Sequence, residues 1–120
     1  MAIAIKVLGN ASIGATQTGN DLLTAYSGNS NAVPNGKAVI VSNIRLVNTG
    51  TVTRTVSIKY LPAGTNARVV CPKNVPIPPS SALVLDEELM LVATDKLQVD
   101  FGETGTSIID VVVGGVERDA

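Results

Sequence analysis

Apolar and polar residues alternate along much of the chain, most cleanly where Val56, Ile58 and Tyr60 take turns with Thr55, Ser57 and Lys59. A period of two marks a strand with one buried face and one wet face. Just upstream the same period changes phase. Val39 and Val41 hold one phase, Ile44 and Leu46 the other, and Ser42-Asn43 lies at the break. A β-bulge, or a strand that passes from one sheet to another, absorbs such a slip. Between the two arms, Asn48-Thr49-Gly50 offers residues that tolerate positive φ, which predicts a tight turn. Residues 39–61 are therefore expected to form a hairpin that helps build two packed sheets.

The remaining segments follow the same grammar. Ile3, Ile5 and Val7 alternate with Ala4 and Lys6, and Gly9-Asn10 ends that strand. Residues 11–20 are small and polar and read as an extended arm or a mobile loop, two readings reconciled by an arm that orders only against a neighbouring subunit. Residues 22–26 predict a short strand, followed by loop composition at 27–31 and a turn at Pro34-Asn35-Gly36. Residues 68–71 predict another brief strand. Pro72, Pro76, Pro78 and Pro79 then exclude central pairing, because proline has no N–H for the ladder, and imply a crossing along a sheet edge. A strand resumes at 82–85, and residues 89–92 either form a separate strand or continue it through a kink. Leu97, Val99 and Phe101 face inward, residues 102–105 close a second hairpin, and 108–113 return before Gly114-Gly115 breaks the strand.

No segment shows a 3.6-residue period, and β-branched crowding at 108–113 opposes a helix there. The fold class is all-β: an antiparallel β-sandwich, jelly-roll or immunoglobulin-like, of seven to nine strands. The division is an N-terminal strand and arm at 1–20 and a sandwich at 21–120.

Composition narrows the function classes. At 120 residues the chain suits one domain, and its core must be aliphatic, since aromatics are 2% of a 45% hydrophobic content. Few aromatics leave no stacking platform for single-stranded nucleic acid, and a net charge of −1 leaves no footprint for phosphates or anionic lipid. Residues 1–6 lack the basic start and apolar run of a signal peptide, and no stretch is long enough for a membrane helix. A soluble protein is expected, with neither nucleic acid nor membrane as partner.

Candidate chemistry is sparse. There is no histidine, which removes the usual general base, zinc ligand and partner of a nucleophile. Cys71 stands alone and reads as a small buried hydrophobe before a reactive thiol. Asp86-Glu87-Glu88 is the one dense carboxylate cluster, without the alternating ligand spacing of a calcium loop. Asp86 and Asp100 could in principle pair for glycoside chemistry across loops. No catalytic, cofactor-binding or metal-ligating residue is assigned, and a non-enzyme is expected.

One pattern of pieces carries more. Val33-Pro34-Asn35-Gly36-Lys37, residues 39–48, residues 55–64 ending in Pro62-Ala63-Gly64, residues 89–99 and residues 112–117 follow one another in fixed order. This arrangement resembles small β-sandwich virion structural proteins of tailed bacteriophages; residues 26–32 depart from it as an insertion. The resemblance implies a scaffold role with no catalytic residues to transfer. It implies a capsid cement (decoration) protein on the virion surface, assembled in the host cytoplasm, with the major capsid protein and copies of itself as partners. A homotrimer is the expected form. A tail or neck component is the second reading, and a receptor- or carbohydrate-binding module the third.

Overall fold

The computed structural model describes residues 3–13, 18–64, 66–70, 75–86, 88–102 and 108–119. Their strands are β1 (Ile3–Ile13), β2 (Asn20–Asp21), β3 (Lys37–Asn48), β4 (Arg54–Leu61) and β5 (Arg68–Val69), then β6 (Val75–Ile77), β7 (Ala82–Leu85), β8 (Leu89–Val92), β9 (Lys96–Phe101) and β10 (Ile109–Asp119). Every pairing is antiparallel. A long sheet runs β1-β10-β3-β7, with β8 also on β3; a short sheet runs β2-β9-β4-β5, with β6 also on β4. β7 and β8 lie end to end along one edge of β3, against residues 44–47 and 38–41. β5 and β6 divide the edge of β4 in the same way. With each broken edge counted once, both sheets are four strands wide and the chain passes between them in jelly-roll order. The antiparallel sandwich expected from the pattern is the fold found, in its jelly-roll form. The broken edges raise the strand count to ten.

The phase slip in β3 is a bulge. Gly114 of β10 pairs with Asn43 and Gly115 with Val41, leaving Ser42 without a partner in the ladder. β1 slips at the same level, where Val7 meets Gly114 and Gly9 meets Val113 across the extra Leu8. Both neighbours of β10 are thus bulged around Gly114-Gly115. A Cβ on Gly115 would lie 2.2 Å from the Ile40 carbonyl oxygen, so only glycine admits this approach. The expected break at Gly114-Gly115 is instead the middle of the last strand.

Other expectations are corrected by the sheet assignment. β3 belongs to the long sheet and β4 to the short one, so 48–50 is a corner between sheets and not a hairpin turn. Asn48 builds that corner from the inside. Its buried amide donates to the carbonyls of Val52 and Ile77, both at 2.8 Å, while its side-chain oxygen accepts from Gly50 N at 2.9 Å. An asparagine that satisfies three backbone groups turns the chain without leaving buried polar atoms orphaned. β9 and β10 also lie in opposite sheets, so they form no second hairpin; residues 103–107 lie outside the described residues. The strand expected at 22–26 is replaced by Leu22 and Leu23, both buried, and a 3-10 turn at Thr24–Asn29.

Of the arm expected at 11–20, Ala11–Ile13 continue β1, Asn20 begins β2, and 14–17 lie outside the described residues. Leu8 and Ile13 are in the core, so the described part of segment 1–20 is built into the sandwich. Pro76 sits on an edge, in β6, as its missing N–H requires.

The core fills the space between sheets with Val39, Val41, Ile44 and Leu46 of β3, Val56 and Ile58 of β4, Leu97, Val99 and Phe101 of β9, and Val111 and Val113 of β10. Each such side chain contributes ~1.5–3 kcal/mol by leaving water.

Candidate interaction surface

Burial of one face of each sheet leaves two outer faces, and they differ in chemistry. On the long sheet, Ile5 pairs with Val116, Val116 with Ile40, and Ile40 with Met90. Their chain neighbours Val39, Val41 and Leu91 point into the core, so these four form an apolar row across the outside. Ile5 is 89% exposed and Met90 54%, at opposite edges of the row. Val7, at 55%, and Val92, at 51%, extend it along the edge strands. Higher on the same face, beyond the bulges, Asn43, Arg45, Val84, Asp86 and Val112 line a shallow groove of about 280 Å³.

On the short sheet, Thr55, Ser57 and Lys59 of β4 lie beside Gln98 and Asp100 of β9. These polar groups are tied to one another. Lys59 Nζ is 2.9 Å from Asp100 Oδ2, Gly19 N donates to Asp100 Oδ1 at 2.8 Å, and Gln98 Nε2 donates to Asp21 Oδ1 at 2.7 Å. A groove of about 440 Å³ crosses this face, with Ser57, Lys59 and Asp100 in its lining.

The candidate chemical residues do not converge. Asp86 lies on the outer side of the long sheet and Asp100 on the outer side of the short one, with the core between them. Carboxylates so placed cannot flank one glycosidic bond. Glu88 lines a different pocket, with Ile44 and Val70, and Glu87 lies outside the described residues. Cys71 also lies outside them. Among the described residues no three His, Cys, Asp or Glu side chains gather as a metal site, and no helix is long and apolar enough to cross a membrane.

Three buried polar groups escaped the reading of the pattern, and each holds the scaffold. Asp95 is 3% exposed and accepts from Ala63 N and Val92 N, both at 2.8 Å, joining the β8–β9 turn to the end of β4. Arg54 is fully buried with its guanidinium 4.2 Å above the Phe101 ring. Tyr26 donates its hydroxyl to Glu117 Oε2 at 2.6 Å, and Lys6 Nζ reaches the same oxygen at 3.2 Å from 5.0 Å above the Tyr26 ring. Burial, then the hydrogen bond and negative charge of Glu117, push the Tyr26 phenol well above its usual range. The Tyr26 hydrogen bond, followed by that of Lys6, holds the Glu117 carboxyl below the usual carboxylate range. The 3-10 turn is thereby pinned to β1 and β10. A lone aromatic in a short loop gives no sequence signal for such a partner 91 residues away.

The chain matches no protein-family model and no curated protein. It is similar to solved structures of viral capsid proteins. One is a pentameric capsid protein isolated from metagenomic phage sequences, 17% identical with a TM-score of 0.38 over 98% of this chain and 61% of that one. A second crystal structure with that description gives 18% and 0.38 over 94% and 61%. The structure of infectious bursal disease virus, Gt strain, gives 7% and 0.45 over 97% of this chain and 32% of that one.

Proposed function

We propose that this chain is a non-enzymatic structural protein of a phage particle, and specifically a capsid cement protein that binds the major capsid protein and copies of itself as a homotrimer. The observation that carries the reading is the outer face of the long sheet, where exposed Ile5 and Met90 flank half-buried Val116 and Ile40 in one aliphatic row. A contiguous apolar patch on a folded domain marks a protein interface. The ordered pieces at residues 33–117 that resemble tailed-phage virion proteins support the same reading. Jelly rolls serve both capsid and lectin roles, so the fold by itself does not choose between them. Side chains favour the capsid role: Tyr26 and Phe101 are buried, Tyr60 is half-buried, and Trp is absent, which leaves no exposed aromatic platform for a sugar ring.

Copy number tests the proposal. A cement protein is present in many copies on purified heads that lack tails, and heads without it lose heat resistance. Recovery only from tailed particles, a few copies each, moves the assignment to the tail or neck.

A further inference from the structure

The outer face of the long sheet also carries a geometric instruction about how copies meet. Resting on the reading of a self-associating virion protein, we infer that three copies bring these faces together around a threefold axis running along the strands, so that the apolar rows form a shared core.

Four observations carry this. First, the row Ile5–Val116–Ile40–Met90 runs straight across the sheet at one height. Rotation about an axis parallel to the strands returns each row to the same height, apolar against apolar. Second, the side has the right width. Four strands at a spacing of ~4.8 Å make a side of about 19 Å, and three such sides place the axis about 5–6 Å from each sheet. That is half of the ~10 Å at which sheets pack face to face, so aliphatic side chains fill the centre. Five such sides would put the axis about 13 Å from each sheet and leave a channel lined by Ile and Val.

Third, the edges match. β1, β10, β3 and β8 alternate in direction, so β1 runs opposite to β8. Around the axis, β1 of one copy then lies antiparallel beside β8 of the next, and the two most exposed ends of the row, Ile5 and Met90, meet at each corner. A face-to-face pair of copies would leave both edge strands open, which sheets tend to avoid. Fourth, charge permits it. Lys6 and Glu117 are paired on the inner side, and Arg118, one rung beyond the row, is already engaged within its own chain. Above the bulges, Arg45 and Asp86 keep the face polar, and strand twist carries that half away from the axis.

Light scattering of the purified chain tests the inference. The expected mass is about three times the 12.3 kDa of one chain. Ile5→Asp and Met90→Asp, each at an exposed position, are expected to give monomers with an unchanged far-UV spectrum. Val52→Asp, also at an exposed position but on the β3–β4 corner, is expected to leave the trimer intact. A monomer, dimer or pentamer for the unaltered chain overturns the inference, as does a trimer that survives both Asp substitutions. A chain that is not trimeric also removes the homotrimer from the proposed function, whereas a trimer that survives both substitutions overturns only the face; copy number in particles tests the virion role independently.

Discussion

On the short sheet the outward positions of β4 carry Thr55, Ser57 and Lys59, and those of β9 carry Gln98 and Asp100, several of them bonded to one another. On the long sheet the outward positions below the bulges include Ile5, Ile40 and Val116, while beyond the bulges Val112 lies beside Asn43 and Arg45. The contrast is written into strand composition. β4 alternates cleanly, whereas Val39-Ile40-Val41 and Val111-Val112-Val113 are continuous apolar runs. Near-continuous runs are characteristic of strands covered on both faces. One face of the long sheet is covered by the short sheet; its composition anticipates a cover on the other. The polar face is thus confined to one sheet, and the apolar outward positions gather on the lower part of the other.

The comparison depends first on which residues point inward. Ile58 is fully buried on the inner face of the short sheet, so Ile58→Ala should cost ~2–5 kcal/mol in urea denaturation, and Val99→Ala somewhat less. If Ile58 proved as replaceable as its outward neighbours, the assignment of faces would fail. The corner that sends β3 and β4 to different sheets is the next test. Asn48→Ala strands two carbonyls and an N–H in the interior, with an expected loss of ~1–3 kcal/mol. A neutral result there would mean that the turn does not depend on its internal amide.

A pH series sharpens the comparison at the far end of the long sheet. The Glu117 carboxyl is depressed below its ordinary 4.5, so its contribution is present above that pH and is lost as pH falls through the lower folded value. The Tyr26 phenol is raised above its ordinary 10.0, so stability holds below that pH and declines above it, where only the unfolded chain ionises. Glu117→Gln should flatten the acid limb and weaken the alkaline one; an unchanged profile would show that the pair does not couple to folding. The smallest effect is expected on the polar face. Lys59→Ala removes a partly exposed ion pair with Asp100 and should cost ~0–1 kcal/mol. A larger loss than for Ile58→Ala would reverse the strand register.

What the sequence determined by itself was local: period, phase and exclusion. Alternation placed β4 and β9 with the correct inward residues, because a strand's side chains report their face at every second position. The phase slip at Ser42-Asn43 located the bulge, since an extra residue must shift every side chain beyond it. Proline placed the edge at β6, and the absence of histidine removed whole classes of chemistry before any fold was known. Residues 82–92 could be read as one kinked strand or two, and the structure contains both readings: β7 and β8 are separate, yet run end to end along β3.

Tertiary structure decided what turns connect and what glycines permit. Asn48-Thr49-Gly50 carries the composition of a hairpin and makes a corner, because the choice rests on whether β3 and β4 find each other or other partners. β10 closes against β1 and β3, whose Val7 and Asn43 lie 107 and 71 residues before their common register partner Gly114. Gly114-Gly115 reads as a break in isolation and serves as a point of close approach between bulged neighbours. Whether an apolar outward residue belongs to an interface is likewise beyond local pattern. It takes the register of four strands from distant parts of the chain to turn Ile5, Val116, Ile40 and Met90 into one surface.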